Sequence, residues 1–123
     1  MKRLLDNVTI ITGGGKGIGF GLAQAFAEEG SDLVLTGRTE SRLLTAKEEL
    51  ETRYGIRVLP IVADGADEEA IRGVVRKTIE TFGRIDTLVN NAQVSRSGLP
   101  LIEHTKEDLD MAIFSGLYAA FFY

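Results

Sequence analysis

Residues 8–19 read Val8-Thr9-Ile10-Ile11-Thr12-Gly13-Gly14-Gly15-Lys16-Gly17-Ile18-Gly19, and this stretch decides the fold. Its first five residues are all β-branched, which suits a strand buried on both faces of a sheet. Six of the chain's 14 glycines then fall between Gly13 and Gly21. Beyond the turn, Ile18, Leu22, Ala25 and Phe26 recur at helical spacing. A glycine turn between a first strand and a helix brings backbone close to the helix N-terminus, where free N–H groups and the helix dipole attract a diphosphate. Gly13, Gly15, Lys16, Gly17, Ile18 and Gly19 are therefore candidate nucleotide-binding residues; the plainer alternative is a flexible loop before a helix. A triphosphate-type loop would need Gly-Lys-Ser/Thr, and Lys16 is followed by Gly17.

Outward from this turn the pattern repeats. Residues 32–36 (DLVLT), 56–62 (IRVLPIV) and 85–90 (IDTLVN) read as three further strands. Helices are predicted over 17–29, 40–54 and 67–82, followed by Gly30, Gly55 and Gly83, each placed to close a last turn. Strict alternation of strand and helix predicts an α/β fold with a doubly wound parallel sheet, and right-handed crossovers give the order 3-2-1-4. Pro60, inside the third strand, fits an edge position. A last helix is expected from about Thr105 to Tyr123, with Leu109, Ala112, Ile113, Gly116, Leu117, Ala120 and Phe121 on one face.

Composition narrows the function. The 123 residues fit one small domain, and a net charge of −4 argues against a broad nucleic-acid surface. Without cysteine, and with His104 the one histidine, neither a disulfide framework nor a thiolate or histidine-rich metal site is expected. No apolar run reaches the roughly 18 residues of a membrane span, and residues 1–7 do not resemble a secretory signal. A cytoplasmic protein without membrane or nucleic-acid partners is expected.

Residues 12–19, with the spacing Gly-x-x-x-Gly-x-Gly, and Asn90-Asn91-Ala92 after the fourth strand together resemble the short-chain dehydrogenase/reductase family. The resemblance runs from Met1 to Tyr123 but matches only the N-terminal half of a typical member. It implies a single, incomplete (truncated) Rossmann-type domain over 1–123 and a nicotinamide nucleotide as cofactor. At the end of the second strand, where NAD-preferring folds carry an acid, this chain has Gly37-Arg38. A guanidinium there can pair with a 2′-phosphate, and Lys16 adds a cation, so NADP(H) is expected over NAD(H). The plainer alternative for Arg38 is an ordinary surface arginine after a strand. By resemblance Asp64 and Gly65 meet the adenine, although Asp-Gly also makes a simple turn. Asn91 and Ala92 are implied beside the cofactor, with Asn90 more structural.

The chain departs from the family pattern at two positions. Gln93 stands where the motif has glycine, and Gly116 aligns with the asparagine of the family's proton relay; Ser115 is its neighbour, expected to point about 100° away on a helix. The family's catalytic serine and Tyr-x-x-x-Lys are not found: Tyr54 precedes Val58 by four, Tyr118 precedes Phe122, and Tyr123 is last. No catalytic residue is assigned, and Ser95, Ser97 and His104 read as loop or surface. The resemblance thus implies an NADP(H)-dependent oxidoreductase interconverting a carbonyl and an alcohol, present as its cofactor-binding half. Substrate would lie near residues 93–98, and 3-oxoacyl thioesters, sugars and steroids all stay open. The alternative is an inactive nucleotide-binding or assembly module. The last helix, by resemblance, is the expected homo-oligomer face.

Overall fold

A computed structural model describes residues 1–94 and 98–123. Four parallel strands, β1 (Val8–Thr12), β2 (Asp32–Gly37), β3 (Val58–Val62) and β4 (Thr87–Val89), form one sheet in the order β3-β2-β1-β4. They alternate with α1 (Gly17–Glu28), α2 (Glu40–Tyr54) and α3 (Glu68–Phe82). Pro60 pairs with Leu35 of β2 and lies on the sheet edge, as its missing N–H requires.

Alternation along each strand divides the apolar residues between two cores. Ile11, Leu33, Leu35 and Val58 meet Ala23, Ala27, Leu43 and Leu50 of α1 and α2 on one face. Val8, Ile10, Val34 and Ile61 meet Val74 of α3 on the other, with Phe82 and Tyr123 packed against them. Thr9, buried at 0% exposure, is satisfied by Ser31 Oγ at 2.8 Å. Gly55 and Gly83 adopt left-handed conformations at the ends of α2 and α3, closing them as the sequence predicts.

Two strands are shorter than the sequence suggests, for identifiable reasons. Arg57 gives its N–H to the Asp32 carboxylate (2.8 Å) instead of to a backbone carbonyl, and β3 starts at Val58, two residues after the predicted Ile56. At the far end of β4 the Thr12 hydroxyl accepts from Asn91 N, so the strand stops at Val89.

The last helix is also less regular than predicted. After a short 3₁₀ turn (Leu101–Glu103), α4 (Lys106–Ala112) passes into a π-helical segment (Ile113–Tyr118) and then α5 (Ala119–Phe122). The predicted apolar face is largely exposed: Leu109, Leu117 and Phe121 are 58%, 65% and 80% accessible, while Asp108 and Ala119 are buried. No described helix is long and apolar enough to cross a membrane.

Candidate functional site

The carboxyl ends of the four strands open into a cleft of about 370 Å³. All eleven candidate residues line it: Gly13, Gly15, Lys16, Gly17, Ile18 and Gly19 from the turn, Arg38 after β2, Asp64 and Gly65 after β3, and Asn91 and Ala92 after β4. Parallel strands deliver their following loops to one edge of a sheet, which is why positions so distant in sequence converge.

The turn is held by its own packing. Gly13 and Gly17 have φ of +66° and +56°, conformations that favour glycine. A methyl group on Gly19 would collide with the Gly13 carbonyl and lie 2.6 Å from Asn91 Nδ2. The Asn91 side chain donates to the carbonyls of Thr12 (3.1 Å) and Gly13 (3.3 Å), and Thr12 Oγ1 accepts from the N–H groups of Asn91 and Ala92 at 3.0 and 2.9 Å. Asn91 is thus a clamp between the first turn and the segment after β4 as well as a lining residue.

Capping differs between helix ends inside and outside the cleft. Asp67 caps α3 by accepting from Glu69 N and Ala70 N, and Thr105 caps α4 through a reciprocal box with Asp108. By contrast, no side chain caps α1 at Lys16 or α2 at Thr39, and both residues line the cleft. The free N–H groups of α1 suit an external anion.

Charge points the same way. Lys16, Arg38 and Arg42 line the cleft, are exposed, and form no ion pair with any described residue. Asp64 is the one acid among the described lining residues, and its Oδ1 already accepts from Ala66 N at 2.9 Å, in the Asp-Gly turn anticipated as an alternative. The sequence reading missed Arg42, although its spacing four residues after Arg38 puts it on the first turn of α2. Also missed were Thr36 and Tyr123, which line the cleft; burial raises the Tyr123 phenol's pKa above the usual tyrosine value, and the Thr36 hydroxyl works against the rise.

Ser115 lines the cleft: its Oγ lies 2.7 Å from Val94 N, 3.0 Å from Val94 O and 2.7 Å from Met111 O. The widened π turn presents it to the loop after β4 while Gly116 faces Gln93. His104 sits instead on the loop before α4, with Nε2 3.3 Å from the Leu99 carbonyl, outside the lining of the cleft. Ser95 and Ser97 lie outside the described residues, as does part of the 93–98 stretch expected near substrate.

A family model described as short chain dehydrogenase matches residues 7–122. The chain belongs to that family. Among its relatives is the 12alpha-hydroxysteroid dehydrogenase of a Clostridium species, 56% identical over 122 residues, covering 94% of this chain and 47% of that protein. L-sorbose reductase from Gluconobacter frateurii, solved with NADPH and L-sorbose, superposes with a TM-score of 0.89 at 34% identity, over 99% of this chain and 46% of that one. An NAD+-bound xylitol dehydrogenase gives 0.92 at 29% identity, over 98% and 46%. This short chain dehydrogenase sequence therefore spans about half the length of the relatives it matches.

Proposed function

We propose that these residues are the nucleotide-binding part of an NADP(H)-dependent oxidoreductase that interconverts a carbonyl and an alcohol. The carrying observation is the trio Lys16, Arg38 and Arg42, exposed around the cleft with no carboxylate partner among the described residues. Arg38, unpaired at the end of β2 and with Lys16 and Arg42 lining the same cleft, matches a 2′-phosphate, whereas an acid there would match free ribose hydroxyls. The uncapped start of α1 and the glycine turn would hold the diphosphate. Asp64, with Oδ2 still open, and Gly65 would meet the adenine edge, and Asn91 and Ala92 the second ribose. When bound, such a nucleotide supplies or accepts a hydride. The 12alpha-hydroxysteroid dehydrogenase relative makes a hydroxysteroid the first small-molecule class to test. We read the 123 residues as one incomplete domain, and the exposed face of Leu109, Leu117 and Phe121 as its self-association surface.

Titration of the chain with NADPH and NADH tests the reading. NADPH should bind more tightly, and Arg38→Ala should remove about 1.5–3 kcal/mol of that preference, the worth of a charge-assisted bond. Equal affinities for the two nucleotides in the unsubstituted chain would reject the assignment.

A further inference from the structure

This inference rests on the nucleotide reading above and concerns the opposite end of the same cleft. In the order β3-β2-β1-β4 the glycine turn, which follows β1, lies between two groups of loops. Arg38 and Asp64 follow β2 and β3 on one side; residues 91–94 follow β4 on the other. With the diphosphate at the turn and the adenosine toward Arg38, the nicotinamide riboside falls at 91–94.

The backbone there is pinned on both sides of a single free side chain. Thr12 Oγ1 fixes Asn91 and Ala92, and Ser115 Oγ fixes Val94. Between them Gln93 lines the cleft, and its carboxamide has no hydrogen-bond partner among the described residues. Gly116 lies against it: a Cβ on that glycine would make ordinary contact, 3.5 Å from Gln93 Cγ and 3.9 Å from Nε2. A longer side chain at 116 would take the space in which the amide rests. Gly116 belongs to the π-helical segment, a helix form often found at functional sites.

We propose that Gln93, seated over Gly116, is a binding residue for the nicotinamide half of the dinucleotide. A primary carboxamide offers two donors and an acceptor, the complement of the carboxamide that nicotinamide itself carries. Ser115 and Thr12 are positioning residues: they fix the main chain so that the Gln93 side chain projects from a rigid base.

The experiment titrates the full 123-residue chain with NADPH and with adenosine 2′,5′-bisphosphate, which lacks the nicotinamide riboside and the phosphate that carries it. Gln93→Ala should weaken NADPH about three- to tenfold, the worth of one neutral hydrogen bond, and leave the bisphosphate unchanged. Gly116→Leu, which displaces the amide without removing it, should reproduce that pattern. Thermal melting of both variants checks that they fold; Gln93 is exposed, so its truncation should not lower the midpoint. Unchanged NADPH affinity in Gln93→Ala, or equal weakening of both ligands, overturns the inference and leaves the nucleotide reading standing. If the unsubstituted chain binds neither ligand, the nucleotide reading falls and this inference with it.

Discussion

Beyond the β1–β4 ladder, the Thr12 hydroxyl ties β1 to the segment after β4. Its Oγ1 accepts from Asn91 N and Ala92 N, and Thr12 itself is only 4% exposed. Thr12→Val keeps the shape and leaves two donors unpaired, each costing about 1–3 kcal/mol where water is excluded. The expected outcome in urea denaturation is a lower midpoint, with weaker nucleotide binding from a loosened Asn91; an unchanged midpoint would show that water replaces the hydroxyl. Gly19→Ala is a sharper case, because the added methyl meets the Gly13 carbonyl and Asn91 Nδ2 at once. Here the strand need not fail, but the turn must shift, and NADPH affinity should fall more than tenfold by calorimetric titration. The candidate residues were legible in the sequence because glycines and cations at strand ends announce themselves by type. Gln93 was legible only as a departure from a pattern, and Ser115 only as the neighbour of a second departure, Gly116. Which way a side chain faces depends on the local helix pitch, and no residue type in Ile113–Tyr118 marks the change from α to π.

At the scale of elements, the helix ends separate structural from ligand-facing roles. α3 begins with Asp67, which accepts from Glu69 N at 3.0 Å and Ala70 N at 3.2 Å away from the cleft. Asp67→Ala should cost about 0.5–2 kcal/mol of stability without changing nucleotide affinity, measured by denaturation and titration on the same protein. A loss of affinity would mean that α3 is coupled to the cleft through Asp64, whose carbonyl accepts from Asp67 N at 3.0 Å. Strand order and helix placement were readable from periodicity, closing glycines and one proline, since each reports a backbone requirement. The ends of β3 and β4 were not, because the Asp32 carboxylate and the Thr12 hydroxyl stand in for backbone acceptors that periodicity assumes. The last helix misled for another reason. Its apolar stripe is real, but the body of the chain does not cover it, and a stripe alone does not say what it meets.

Across the whole molecule, three carboxylates tie distant segments together, and all three are held below the usual carboxylate range. Glu29 accepts from Arg3 N and the Arg3 guanidinium, Glu51 from Lys47 and Val58 N, and Asp86 from Arg84 and Val8 N. A depressed folded-state pKa contributes stability above the unfolded value, near pH 4, and that contribution is lost as pH falls through the folded value. Melting temperature should therefore drop on acidification below about pH 4, and Asp86→Asn should flatten part of that dependence. These ties hold the binding half in shape, but they supply no proton to a substrate. Tyr54 and Tyr118 are followed four residues on by Val58 and Phe122, not by lysine. Tyr54 packs against the α1–α2 core, and Tyr123, which lines the cleft, packs against the α3 core with its pKa raised by burial, which makes it a poorer acid. General acid–base assistance is typically worth about 10²–10⁴-fold, and orientation of a bound substrate contributes further. The 123-residue chain should consequently bind NADPH yet oxidise it with ketosteroids no faster than a protein-free control. The measurement is NADPH absorbance decay with purified chain, a panel of ketosteroids and simple ketones, and Arg38→Ala in parallel. Turnover that disappears in Arg38→Ala would place an unrecognised proton donor within these residues, and Ser115, already facing the cleft, would be the first side chain to replace.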